Sequence, residues 1–357
     1  MAGRTSIGLD IGTSGVRAAE LQFSKKGITL EKFGQVALPE GAVRDGEVHD
    51  PAAVAQALKD LWSHTKFSSK EVIVGVANQK VIVRQVELPA APLDELRKTL
   101  PYQVQEAIPM PVEHALLDFY PLEEVTNDDG SQMLRGMLVA AAREMVSAQL
   151  EAVQHAGLRP VVVDLTAFAV LRSLAEADEL GMGSMPLEAL VDVGARVTNI
   201  VVHQGGIPRF VRILLMGGQD VTDAVAERRG VPQNEAEALK HERGLTPVDA
   251  DSGSETQALA RVIDVAGQAF VDQVRGSLDY FVASSGVPGI DRVVLTGGGS
   301  RLTGLAERLQ EASRCEVIRG NPFADLTVGS TGLSDDQLQF VEPLATVPVG
   351  LALGGAA

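Results

Sequence analysis

The stretch SIGLDIGTSGVRAAEL, residues 6–21, decides the fold. An apolar strand ends on Asp10, turns through Gly12, Thr13, Ser14 and Gly15, and resumes as a second strand. A turn built from Gly, Ser and Thr bares its backbone N–H groups, and such a nest holds phosphate oxygens. The glycines let the backbone come close and the hydroxyls add donors. A carboxylate at the strand end would repel a phosphate directly. It can instead order the water shell of a Mg²⁺ that bridges to it.

The same pattern returns at LEALVDVGARVTNIVVHQGGIPRFVRIL, residues 187–214. Asp192 then corresponds to Asp10 and Gly194 to Gly12, at one constant offset. An internal duplication of a three-stranded unit predicts two similar lobes facing each other, and two such turns would clamp one triphosphate and its metal. A third glycine turn, LTGGGSRLTGL at 295–305, reads as the end of a strand and the start of a helix. Its glycines leave room for a flat base or ribose, and the helix start supplies N–H donors. The chain has no G-x-x-x-x-G-K-[ST], and no G-x-G-x-x-G opens a helix after the first strand, so P-loop and dinucleotide folds are disfavoured.

Between these turns the hydrophobic period changes repeatedly. Residues 6–10, 16–23 and 28–37 read as a β-meander, followed by a helix from Pro51 with Asp50 as its cap and a buried strand at 71–77. Residues 80–160 have their own order of strand, helix, strand, strand and helix and read as an inserted subdomain. A strand at 160–164 and a helix over 165–177 lead to the second unit. Beyond it come helices at 216–230 and 232–244, a polar loop around DADSGSE, a long helical stretch over 258–286, and a short loop-helix tail at 341–355.

Composition narrows the partners. The 357 residues are 45% hydrophobic and carry a net charge of −16, which argues against nucleic acid and anionic membrane surfaces, since both need basic protein. One cysteine, Cys315, permits neither an internal disulfide nor a multi-cysteine zinc site and suits a reducing cytoplasm. The six histidines are scattered without metal-ligand spacing. There is no signal-peptide h-region, and no apolar run approaches the roughly 20 residues of a membrane span.

Taken together, DIGTSG (10–15), DVGARVTN (192–199) and TGGGSRL (296–302) resemble the actin-like ATPase superfamily. Within it, LPEGAVRDGEVHDPAAVAQAL (38–58) and VELPAAPLDELRKTLPYQVQEAIPMP (86–111) resemble the PilM family of type IV pilus assembly proteins, related to FtsA. The resemblance implies a two-lobed α/β fold, a duplicated ribonuclease-H-like unit with an inserted strand-helix-strand-strand subdomain. It divides the chain into a first lobe (1A) of 1–79 completed by 161–187 and 341–357, and a partner-binding insertion (1C) at 80–160. A second lobe (2A) takes 188–220 and 258–340, with a small subdomain (2B) at 221–257.

It also implies ATP and Mg²⁺ as ligands. Asp10 and Asp192 would hold the Mg²⁺ through water, Gly12, Thr13, Ser14 and Gly15 would cap the phosphates, and Arg17 would add positive charge. Gly194 would form the second phosphate turn, while Gly217 and Gly218 approach from the second lobe. Glu237 and Lys240 match a base- and ribose-contacting pair, and Gly297, Gly298, Gly299 and Ser300 match the adenosine turn. The chain departs from the pattern at Arg196 and Val197, where hydroxyls are usual, and at Thr166, where a Glu, Asp or Gln would position water. Asp164 is the nearby substitute, and the expectation is slow or absent hydrolysis. The implied partner is the N-terminal cytoplasmic peptide of a PilN-like inner-membrane protein within the pilus assembly machinery. The chain would then be cytoplasmic and reach the inner face of the membrane only through that partner, and self-association into homo-oligomers stays open. The competing reading is a small-molecule, sugar-type kinase of the same superfamily.

Overall fold

The computed structural model describes residues 4–127, 129–176, 185–247, 251 and 253–355. Residue 128, within the turn TNDDG (126–130) that the sequence sets between the second and third strands of the insertion, residue 177 at the end of the expected 165–177 helix, and residues 248–250 and 252 of the polar loop lie outside them.

The chain opens with the expected meander, β1 (Arg4–Ile11), β2 (Gly15–Ser24) and β3 (Gly27–Ala37), and adds a small hairpin, β4 (Val43–Arg44) and β5 (Glu47–Val48). Helix α1 (Pro51–Thr65) starts where the Asp50 carboxylate accepts from the Ala53 N–H at 3.0 Å, with Pro51 pre-set for the first turn. It stops at Lys66, which adopts the left-handed conformation. Strand β6 (Glu71–Val76) is buried along all but its first residue.

Then come β7 (Val81–Pro89), α2 (Leu93–Gln103), β8 (Ala115–Thr126), β9 (Gln132–Ala142) and α3 (Arg143–His155). Strand β10 (Arg159–Leu165) and α4 (Thr166–Leu174) follow. The repeated unit is β11 (Leu187–Val193), β12 (Thr198–Gln204) and β13 (Ile207–Leu214), leading to α5 (Gly218–Arg229) and α6 (Gln233–Arg243). Helix α7 (Ser254–Ser285) buries one stripe, including Ile263, Phe270, Val274 and Phe281. Last come β14 (Arg292–Thr296), α8 (Leu305–Ser313), β15 (Glu316–Arg319), β16 (Thr327–Val328) and α9 (Asp335–Gly354).

Two expectations need correction. The tail is a 20-residue helix rather than a short element, capped by Ser334 and Gln337 and running through Pro343 and Pro348. The TGGGS turn opens a single 3₁₀ turn, Gly298–Arg301; α8 begins only after Gly304, whose φ of +86° breaks the chain direction.

The strands form two main sheets of matching design. The first runs β10-β6-β1-β2-β3-β16 and the second β13-β12-β11-β14-β15. In each, an antiparallel meander is extended beyond its first strand by parallel strands, β6 beside β1 and β14 beside β11, and the first sheet adds β16 parallel to β3 on its other side. The duplication seen in the sequence is thus a duplication of topology and register, since Asp10 pairs with Arg17 as Asp192 pairs with Asn199. A third sheet, β7-β9-β8, carries α2. Helix α3, expected as the last helix of the insertion, shares a core with α1: Ala152 and Val153 are buried with Val54, Leu58 and Leu61.

One hydrophobic cluster reaches all three sheets, with Val81, Met137 and Ala141 beside Ile73, Leu165, Leu190, Val201 and Val347. Helix α9 lies across β1 and β2, where a Cβ on Gly8 would sit 2.0 Å from the Pro348 carbonyl oxygen. No helix of the described residues is long and apolar enough to cross a membrane.

Candidate functional site

The two meander turns face each other across one cavity of about 700 Å³, inside the range of about 300–1,000 Å³ typical of small-molecule sites. The turns are built alike. The Gly12 N–H donates to the Gly15 carbonyl at 3.0 Å, and the Gly194 N–H donates to the Val197 carbonyl at 3.0 Å. Asp10 and Asp192 stand at the ends of the two central strands and both line the cavity. Each meets the residue opposite it on the next strand. Arg17 Nη1 lies 3.4 Å from Asp10 Oδ2, and Asn199 Nδ2 donates to Asp192 Oδ2 at 3.0 Å.

These two acids are poorly compensated. Burial raises the Asp10 carboxyl above its ordinary range, against the opposing pull of Arg17. Burial raises Asp192 to about 6, helped by the negative charge of Asp10 and opposed by the Asn199 hydrogen bond and by Arg17. Beside them the Arg17 Nε and Asn199 Oδ1 are buried without a hydrogen-bond partner among the described residues. Two acids and an idle amide oxygen around one spot make an oxygen-rich environment that suits a hydrated divalent cation.

Helix α6 brings a second cluster to the cavity. Lys240 Nζ donates to Glu237 Oε2 at 2.6 Å, to Thr222 Oγ1 at 2.9 Å and to the Gly218 carbonyl at 3.1 Å. Thr222 also donates to Glu237, and His241 Nε2 lies 2.9 Å from Glu237 Oε1. Burial pushes the Glu237 carboxyl up, but Lys240, Thr222 and His241 together hold it below the usual range. Lys240 is therefore a buried cation whose three donors are pinned, and Glu237 keeps its charge.

Of the residues expected at the site, Asp10, Gly12, Thr13, Ser14, Arg17, Thr166, Asp192, Gly194, Gly218, Glu237, Lys240, Gly297, Gly298 and Gly299 line the cavity. Four do not. Asp164 is paired with Arg172, which also donates to the Gly350 carbonyl at 3.0 Å, so it faces α4 and α9 instead of the cavity. Gly15 closes the first turn through its carbonyl. The Gly217 N–H donates to Asp220 Oδ2 at 2.7 Å, and the Ser300 hydroxyl to the Gly297 carbonyl at 2.6 Å, so both shape the walls from behind. Gly297 is required by its backbone: φ is +85°, and a Cβ there would lie 2.6 Å from Asp192 Oδ1. Arg196, the departure in the second turn, points to α5 and pairs with Asp220 and Asp223.

The fold adds lining residues that the motifs do not announce. Gln149 of α3 is buried and donates to the Gly75 carbonyl at 2.8 Å, next to Thr166, whose Oγ1 a Cβ on Gly75 would approach to 3.0 Å. Asn199, Gln219 and Thr222 join from the second lobe. The Arg301 guanidinium, also on the cavity wall, lies over the Phe340 ring, 3.7 Å from its centroid. Asn199 alone carried a local signal, as the counterpart of Arg17 in the repeat.

Comparison with solved structures places the fold. The structure of a "PilM-PilN type IV pilus biogenesis complex" matches with a TM-score of 0.84 and 30% sequence identity, covering 99% of this chain and 98% of that one. MreB5 of Spiroplasma citri bound to ADP matches in fold, with a TM-score of 0.53 at 13% identity over 98% of this chain and 95% of that one. Among curated proteins, the cell division protein FtsA of Escherichia coli (strain K12) is 24% identical across 97% of this chain and 89% of its own length. FtsA of Bacillus subtilis (strain 168) is 20% identical across 88% and 78%. The family described as type IV pilus assembly protein PilM matches residues 8–356. With its duplicated actin-like lobes and inserted sheet, the chain belongs to the PilM family of type IV pilus assembly proteins.

Proposed function

We propose that this protein binds Mg-ATP between its lobes and serves as a scaffold of type IV pilus assembly or a related secretion machinery. In that role it holds the N-terminal cytoplasmic peptide of a PilN-like inner-membrane protein. The observation that carries the nucleotide half is the pair of like-built turns, Gly12–Gly15 and Gly194–Val197, opening with Asp10 and Asp192 onto one cavity. Backbone N–H groups of the turns, with Thr13, Ser14 and Arg17, receive phosphate oxygens. Asp10 and Asp192 would hold the Mg²⁺ through its waters, and the metal when bound would offset phosphate charge. Closure of the lobes on the nucleotide favours the partner-competent form only as far as its affinity differs between open and closed states.

The partner half is supported by family membership and by the likeness to a complex that contains PilN. Membrane attachment then runs through the partner. The third sheet ends in two edge strands, β7 and β8, and α2 exposes Leu93 and Tyr102, at 45% and 78% of their surface. An extended peptide can pair with a sheet edge and set side chains against such apolar positions. A labelled peptide from the N-terminus of a PilN-like partner is expected to bind the wild-type protein. Leu93→Glu combined with Tyr102→Glu should weaken it at least ten-fold while Mg-ATP affinity stays unchanged. Equal peptide affinity in fluorescence anisotropy would move the docking site away from this element.

Turnover is slow on this reading. The cavity residues near Gly75, Gln149 and Thr166, are an amide and a hydroxyl, and neither accepts a proton from water readily. The sugar-kinase reading needs a base beside an acceptor hydroxyl, and Asp164, the acid expected near the attacking water, is committed to Arg172 outside the cavity. Phosphate release is expected well below about 1 per second, the low end of ordinary enzymes, with or without sugars. Acceptor-dependent turnover at enzyme rates would overturn the scaffold assignment.

A further inference from the structure

We infer that Gln149, carried on the helix that leaves the third sheet, holds the water that attacks the γ-phosphate, with the Thr166 hydroxyl as its second anchor. The inference rests on the proposal that the cavity takes Mg-ATP with its phosphates at the two meander turns.

The register of the first sheet brings these groups to the first turn. Gly8 pairs with Ile73 and Leu9 with Val74, so the next residues, Asp10 and Gly75, lie side by side on strands about 4.8 Å apart. On the other flank of β6, Asp164 pairs with Gly75 and Leu165 with Val76, which leaves Thr166 at the same end of the sheet. Gln149 reaches this spot from α3, which follows β9 without a linker, and donates from Nε2 to the Gly75 carbonyl at 2.8 Å. A carbonyl only accepts, so the amide nitrogen must face it and the amide oxygen is left over.

Both residues are almost wholly enclosed, Gln149 at 4% and Thr166 at 5% exposure, and both line the cavity. Among the described residues neither Gln149 Oε1 nor Thr166 Oγ1 has a hydrogen-bond partner, yet both atoms keep some contact with solvent. The surface they keep is cavity surface, and two idle acceptors in so closed a place call for a water. Glycine at 75 leaves the room for it, since a Cβ there would lie 3.0 Å from Thr166 Oγ1. Position 166, where the resemblance expects an acid or an amide, supplies only a hydroxyl. The amide arrives instead on α3.

Two acceptors can hold both hydrogens of one water and leave its lone pair for phosphorus. The water oxygen then bonds to the γ-phosphorus, and the bond from that phosphorus to the bridging oxygen breaks with its electron pair left on ADP. The proton the water sheds passes to the phosphate oxygens and on to solvent. Neither side chain takes it, so the water is oriented without being activated, in keeping with slow turnover.

Phosphate release and Mg-ATP titration on the full chain test this. With chemistry this slow KM reports binding, so a loss in kcat reads separately. Gln149→Met, similar in length and without a polar end, and Thr166→Val, which keeps the shape, should each lower kcat at least about ten-fold. KM should stay within about two-fold of wild type. Gln149→Glu offers a base once ionised, so its rate relative to wild type should climb with pH, which a packing role would not produce. Unchanged kcat in either folded variant, or a matching loss of Mg-ATP affinity, would overturn the inference. Wild-type protein that binds Mg-ATP and releases no phosphate would overturn it too, with the nucleotide reading left standing. Absence of Mg-ATP binding would remove that reading first, and the water site with it.

Discussion

Asp10→Ala is expected to weaken Mg-ATP binding about a hundred-fold, some 2.7 kcal/mol, and to leave metal-free ADP within a few-fold of wild type. The carboxylate stands at the end of β1, raised by burial, with Arg17 as its ion-pair partner 3.4 Å away. Its proposed task is to hold the metal's waters, so its loss matters only where metal is present. Removing it also frees Arg17 for the phosphates, which offsets part of the loss for metal-free nucleotide. Titration with and without Mg²⁺ separates the effects. An equal loss for both nucleotide forms would make Asp10 a merely structural acid, and no loss would place the metal elsewhere.

Asp192→Asn should make the nucleotide-free protein more stable at neutral pH while weakening Mg-ATP. The native Asp192 carboxyl titrates at about 6, against 3.8 for its ordinary value. A raised carboxyl contributes stability that is present below pH 3.8 and is lost as the pH rises through 6, because the native state must then ionise a buried group. That loss is about 3 kcal/mol, and the asparagine variant escapes it. Its side chain can also donate to the Asn199 Oδ1, which is buried without a partner. Denaturant unfolding of the two proteins should therefore coincide near pH 4 and diverge by up to about 3 kcal/mol at pH 7. Parallel stability curves across that range would show that the carboxylate is already compensated.

The acids were readable because both sit at strand ends followed two residues on by a turn glycine, and the repeat gave each a counterpart. Arg17 came only through the resemblance, which implies a positive charge at that place in the first turn. What the sequence hid came from elements far apart in the chain. Gln149 arrives on α3, which is separated from the first meander by the whole third sheet and returns to pack with α1. Phe340 arrives on α9, where Pro343 and Pro348 mask a 20-residue helix; their missing N–H groups are tolerated, and the Pro343 carbonyl accepts from the Gly297 N–H at 3.1 Å. Asp164 misled because position along the chain said nothing of Arg172, one helix later, which claims it. The 3₁₀ turn at Gly298–Arg301 was lost to the rule that a glycine turn after a strand opens an α-helix. Here Gly304 interrupts it first.

Helix α9 has a bearing on how the protein is made. It covers Ala19, Leu21, Leu30 and Phe33 of β2 and β3 with Val341, Ala345, Val349 and Ala352. Those strands leave the ribosome well before the helix, so the first lobe stays open on one face while the residues between them are synthesised. At about 5–20 residues per second that interval lasts on the order of tens of seconds. The second lobe, whose core draws on residues 187–317, has all its parts in hand sooner. The nascent first sheet is thus the segment most in need of a chaperone, and the last turns of α9 are what release it.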